Sequence, residues 1–283
     1  MIDEVQIRSA DAARPNGNQH LSLSRPRFIE VPDQQLTLPQ DRCFHEHLPP
    51  RQLCQYERYV AEKKTRIVLR QTSSVRSFTD KVIDDATVHA ILDDARFAPS
   101  GGNRQPWRVA LVKDQSTRRQ LAAAMKPVWN AYIALDQTRR APFAVVDGAG
   151  PLTTAPLNVP FPMLDNIDAV PLVLVVAADL LCIATMDTDL ARPTISGGGS
   201  ICPFCWSILR STRDRSLAGV MPTVATRVEP VTGPLLGMPA GHALCTTIFL
   251  GHAKKQDTRL RRNPVETFAA IDRFDGDTLT VGV

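Results

Sequence analysis

What this chain lacks narrows its function before any motif is considered. It has no G-x-G-x-x-G after a strand and no G-x-x-x-x-G-K-[ST], so neither a Rossmann fingerprint nor a P-loop is supported. No G-x-S-x-G elbow presents a serine nucleophile. No long basic run exists: 33 Lys and Arg against 29 Asp and Glu leave a net charge of +4 spread over both ends, so no nucleic-acid partner is expected. Asp3 and Glu4 with no apolar h-region give no export signal. The most apolar window, Ala169–Met186, is interrupted by Pro171 and Asp179, which argues against a membrane span. The histidines at 20, 45, 47, 89, 242 and 252 form no ligand set, so no metal is expected. Cysteines 43, 54, 182, 202, 205 and 245 are scattered, which fits reduced thiols in a cytoplasm better than a disulfide framework.

What is present is ordinary globular material, 43% apolar and 22% charged over 283 residues. Residues 1–65 stand apart. Pro15, Pro26, Pro32, Pro39, Pro49 and Pro50 punctuate them without helical or strand period, yet Leu21 to Phe44 is too apolar for a solvating tail. We expect an extended arm laid on another surface, followed by one domain over 66–283. Within that domain the spacing predicts a helix over Tyr56–Leu69 at its border and a helix capped by Asp84 or Asp85 that buries Val88, Ile91, Leu92 and Ala95. It then predicts a strand over Trp107–Lys113, helices over Ser116–Met125 and Val128–Arg139, and a buried strand over Val170–Ala178. Ser200 is the expected N-cap of a buried helix carrying Ile201, Phe204, Cys205, Ile208 and Leu209. Strands over Leu217–Val224 and Ala243–Leu250, a helix over Pro264–Ile271 capped by Asn263, and a short strand over Thr278–Val283 complete the reading. Helices and strands do not alternate strictly, so the class is α+β.

The organising stretch is Ala98–Val109, APSGGNRQPWRV. Pro99 stops a helix, Gly101 and Gly102 free the backbone for close approach, and Pro106 with Trp107 opens a strand. Asn103 and Gln105 add donors and acceptors able to read a ring edge. Upstream lies Ser73-Ser74-Val75-Arg76-Ser77-Phe78, and late in the chain Arg261-Arg262-Asn263-Pro264-Val265-Glu266. This order of motifs, from about Leu69 to Asp275, resembles the nitroreductase family of FMN-dependent oxidoreductases, with its R-x-S-x-R start, P-S-x-x-N-x-Q-P-W corner and late basic residue. The resemblance implies a mostly antiparallel central sheet surrounded by helices. It also implies a homodimer with shared sites, FMN as cofactor and NAD(P)H as electron donor. Nitroaromatic or related small aromatic acceptors would be reduced by ping-pong two-electron transfer. Reductive dehalogenation, other flavin chemistry and non-catalytic flavin binding remain open on the same fold.

By the same resemblance Arg76 lies near the pyrimidine edge of the flavin, and Ser74 bonds its phosphate or ribityl chain. Arg262, with Arg261 beside it, closes over the phosphate. Pro99, Ser100, Gly101, Asn103 and Gln105 reach the flavin of the partner, and the amides of Pro222-Thr223-Val224 approach N5. Trp129, Tyr132, Phe143 and Phe161 are expected to form a substrate lid. One departure stands out. Thr72 and Ser73 occupy positions where the family usually carries basic residues, and Arg70 or Arg104 is the expected replacement. Cys202-Pro-Phe-Cys205 has the spacing of a redox pair, but Cys205 falls on the apolar helix face, so no thiol catalysis is expected.

Overall fold

The structure, a computed structural model, describes residues 64–136, 142–144 and 159–281. The expected arm over 1–65 lies outside these except for its last residues, which open helix α1, described over 64–71. Four strands form one sheet: β1 (Trp107–Leu111), β2 (Leu172–Asp179), β3 (Ala218–Val220) and β4 (His242–Gly251). Their order is β1-β2-β4-β3, and every pairing is antiparallel. The fold is α+β, as expected.

The continuous apolar run of β2 is explained by burial on both faces. Leu172, Leu174 and Val176 point to one side and Val173 and Val175 to the other, the two-residue period of a strand. The first side packs on α5 (Ile201–Asp214), through Phe204, Ile208 and Leu209, and on Val88, Ile91 and Ala95 of α2 (Asp85–Ala95). The second packs on Leu121 and Met125 of α3 (Gln115–Asp136), in one core with Met163 and Leu164 of the short α4 (Pro162–Asp165). Helix α2 begins as expected, with the Asp84 carboxylate accepting a bond from Thr87 N at 2.6 Å. Arg118, buried on α3, donates Nε to Val112 O at 2.6 Å and Nη1 to Val170 O at 2.8 Å, tying together the ends of β1 and β2.

Five sequence expectations are corrected. Pro127 does not divide two helices; α3 runs through it, because Leu121, Met125, Val128 and Ala131 present one continuous buried face that outweighs the missing N–H. Ser200 precedes α5 but makes no capping bond; its hydroxyl accepts instead from Gly101 N at 3.1 Å. The strand expected over Leu217–Val224 is only β3, because the chain turns at Pro222, whose carbonyl accepts from Thr247 N at 3.3 Å. The helix expected over Pro264–Ile271 is a single 3-10 turn, Val265–Thr267, with no cap from Asn263. Val265, Phe268 and Ile271 are exposed there, so nothing stabilises a short helix. Thr278 makes one bridge, to Ala270, in place of a terminal strand.

Candidate functional site

Residues 73–79 carry the first motif and run along the sheet edge as an irregular segment. Val75 N donates to Gly219 O at 2.9 Å, Thr79 N to His252 O at 2.8 Å, and Lys254 N to Ser77 O at 3.0 Å. The segment is thus sewn to β3 at one end and to the chain leaving β4 at the other. Gly251 makes the second contact possible: a Cβ there would lie 2.7–2.8 Å from Phe78.

This stitching builds a cavity of about 560 Å³, lined by Ser73, Ser74, Arg76, Phe161, Met163 and Lys254 among others. Lys255 and Asp257 also reach it. Three of these charges are positive and one negative. Ser73 Oγ is buried and has no hydrogen-bond partner, whereas the neighbouring Thr72 hydroxyl is spent on Val68 O at 2.6 Å. An unpartnered buried hydroxyl beside excess positive charge suits an anionic oxygen. Phe161 in the lining belongs to an aromatic stack that continues behind it. Phe161 stacks on Trp129 with ring centroids 4.1 Å apart, and Trp129 on Tyr132 at 5.9 Å. Phe161 itself is buried, and Phe143 stands apart under Arg227. The four expected lid residues therefore divide into one stack of three and a separate Phe143.

The corner is a second centre. Gly101–Asn103 make a 3-10 turn, and Gly102, Asn103 and Gln105 all have positive φ (58°, 53° and 48°). Its own side chains hold this unusual backbone: Ser100 Oγ accepts from Gln105 N, and Gln105 Nε2 donates to Asn103 Oδ1, both at 3.1 Å. Trp107 lies flat on Phe204, centroids 4.5 Å apart and planes within 5°, and Pro106 O accepts from Asp179 N at 2.8 Å. Behind the corner, the Asp187 carboxylate gathers the loop that leads into α5. It accepts from the Ser196 hydroxyl, from Thr194 Oγ1 at 2.5 Å, from Ile195 N at 2.9 Å and from Arg192 at 2.6 Å, and these bonds hold it well below the usual carboxylate range.

Corner and cavity do not meet within one chain. The corner adjoins Asp179, the last residue of β2, while the cavity adjoins Val170, just before its start. Eight residues at about 3.3 Å each separate them by about 26 Å. They also belong to opposite faces: Trp107 packs with the α5 side, Val75 and Phe161 with the α3 side. Of the other expected site residues, Pro222, Thr223 and Val224 form the turn after β3, with the Pro222 carbonyl also accepting from Thr246 Oγ1 at 3.0 Å. Arg261 and Arg262 are exposed, do not line the cavity, and Arg262 donates to the Arg261 carbonyl at 2.7 Å. Cys205 is buried and its thiol is pushed up to about 12, by burial first and then by the neighbouring Cys245 and Cys202; such a thiol is unreactive. Lys254, Lys255 and Met163 were not singled out from sequence. Only the pairing of the chain after β4 with the first motif reveals the two lysines, and only the fold brings Met163, ahead of β2, to the same cavity.

The comparisons with known proteins agree with this architecture. Residues 69–194 match the model of the nitroreductase family. A curated relative from Archaeoglobus fulgidus, named a putative NADH dehydrogenase/NAD(P)H nitroreductase, is 37% identical over 51 residues, 18% of this chain and 29% of its own. The matched stretch thus spans about three tenths of the length of the curated relatives. The NADPH:FMN oxidoreductase of Vibrio harveyi, solved with NAD+, has the same fold at a TM-score of 0.55 and 17% identity, over 75% of this chain and 78% of its own. A nitroreductase-like protein of Desulfovibrio desulfuricans solved with FMN matches at 0.53 and 17%, over 74% and 97%. The match to the nitroreductase family thus runs through residues 69–194, the stretch that carries both the edge segment and the corner.

Proposed function

We propose that this chain is an FMN-dependent oxidoreductase that draws electrons from NAD(P)H and passes them to a small aromatic acceptor, a nitroaromatic or a related ring. The observation that carries the reading is the cavity beneath residues 73–79, with its unpartnered Ser73 hydroxyl, its excess positive charge and its Phe161 wall. Those features fit a ligand with an anionic end and a flat ring. FMN, when bound, would supply the two-electron chemistry of the reaction. Arg76 lines the cavity and supplies positive charge to the electron-rich edge of the ring, while Ser74 holds the ribityl or phosphate oxygens. In the turn after β3, Pro222 sets the backbone and Thr223 and Val224 would offer their N–H groups toward the ring.

The separation of corner from cavity supports a homodimer, in which the Pro99–Gln105 corner of one copy serves the cavity of the other. The Asn103 and Gln105 side chains, already fixed by their mutual bond, then meet the cofactor with little ordering cost. Among the described residues no helix is long and apolar enough to cross a membrane. Cys182, Cys202, Cys205 and Cys245 are free thiols, which suits the cytoplasm.

The purified full chain is expected to be yellow, with a flavin spectrum that bleaches on adding NADH or NADPH and returns on adding a nitroaromatic. A colourless protein that takes up no added FMN contradicts the reading, and a loaded protein that never bleaches reduces it to flavin binding. Arg76→Ala should keep FMN yet lower turnover by roughly one to three orders of magnitude. Parental turnover in that variant would remove Arg76 from the chemistry.

A further inference from the structure

We propose that Lys254 and Lys255, on the chain leaving β4, bind the phosphate of the cofactor in place of the basic residues missing at Thr72 and Ser73. The inference rests on FMN as the ligand of the cavity and assigns the charges that hold its anionic end. Thr72 is buried, uncharged and committed to Val68 O, so it has nothing left to give. Arg104 belongs to the corner, where its Nη1 reaches the Gly101 carbonyl at 3.3 Å, and neither Arg104 nor Arg70 lines the cavity.

Lys254 and Lys255 do line it, and the backbone puts them there. The bond from Lys254 N to Ser77 O and the bridge between Phe78 and Ala253 fix the lysine pair directly against the segment that carries Ser73, Ser74 and Arg76. Among the described residues neither ammonium is in a salt bridge, unlike Lys64, Lys113 and Lys126. Asp257 is the one acidic group in the lining, so the balance with Arg76 still favours a dianion. Ser73 completes the set: its buried hydroxyl, unpartnered here, gains an acceptor when a phosphate oxygen arrives. The phosphate-binding charge has thus moved from the segment itself to its partner across the sheet edge.

The test compares FMN with riboflavin, which has the same ring and no phosphate, by quenching of flavin fluorescence in the full chain. In the Lys254→Gln/Lys255→Gln variant FMN affinity should fall by roughly 10- to 100-fold, as expected for lost charge-assisted bonds. Riboflavin affinity should stay within about 2-fold of the parent, as expected for a ring site left intact. The Lys254→Arg/Lys255→Arg variant should restore the preference for FMN. A double glutamine variant that keeps the parental FMN-to-riboflavin ratio overturns the assignment, as does one that weakens both flavins equally. Should Arg262→Ala alone erase the ratio, the phosphate belongs to Arg262. If the parent binds riboflavin and FMN with equal affinity, the phosphate site is wrong while the flavin reading stands. If the parent binds neither, both fall.

Discussion

The corner at 98–107 and the edge segment at 73–79 are both short, irregular and rich in small polar residues, yet they are held in opposite ways. The corner takes its turn from its own side chains, Ser100, Asn103 and Gln105 bonding within six residues, and is anchored from outside by Phe204 under Trp107 and by Ser200 on Gly101 N. The edge segment is held by others: its backbone bonds go to Gly219, His252 and Lys254, about 140 to 180 positions away in sequence. Short-range bonds set the corner's turn. Long-range pairing makes a cavity that exists only once the sheet has formed, and it brings groups from distant positions into one site.

The largest expected effect breaks the corner. Trp107→Ala removes the flat contact with Phe204 and should cost roughly 3 kcal/mol in urea denaturation, with the midpoint falling accordingly. A loss under about 1 kcal/mol would show that the corner does not depend on this anchor. Next comes the edge segment. Gly251→Ala forces Phe78 aside and should destabilise by about 1–3 kcal/mol, with FMN affinity falling as the cavity shifts. An unchanged affinity would uncouple the segment's seating from the cavity.

This contrast also explains what the sequence made legible. The corner motif, the Asp84 cap and the two long strands rest on neighbouring residues, and they are readable from one stretch at a time. The continuity of α3 was readable in principle from Leu121, Met125, Val128 and Ala131, but Pro127 obscured it. The helix expected at Pro264–Ile271 had the right local pattern and no burial to support it. Lys254 and Lys255 carry no local signal at all. Their place beside Ser73 and Arg76 follows from the register that brings the end of β4 to Ser77.

Two smaller effects sharpen the comparison. Ser73→Ala removes a buried hydroxyl without a partner, so the flavin-free protein should become more stable by up to about 1 kcal/mol. The extra stability conferred by FMN should shrink in the same variant. Thermal melts with and without FMN read both; an apo protein destabilised by the change would mean that Ser73 already has a structural role. On the corner side, Asp187 has a folded pKa depressed below the ordinary 3.8 by its bonds from Ser196, Thr194, Ile195 and Arg192. Its contribution is therefore complete above the ordinary value and is lost as pH falls below it toward the folded one. Limited proteolysis within 187–199 should accelerate at acid pH, and in Asp187→Asn already at neutral pH. Equal cleavage of parent and variant at neutral pH would show that the carboxylate does not order the loop.

What remains to be decided is whether the cavity bordered by residues 73–79 holds the cofactor. A crystal structure of the full chain with FMN tests it most directly. The flavin is expected in the cavity, with its phosphate on Ser73, Lys254 and Lys255, its ring edge toward Arg76, and the Pro99–Gln105 corner of a second copy against it. Flavin density lying instead against Arg261 and Arg262, with the cavity beneath Ser73 and Arg76 filled only by water, would contradict it.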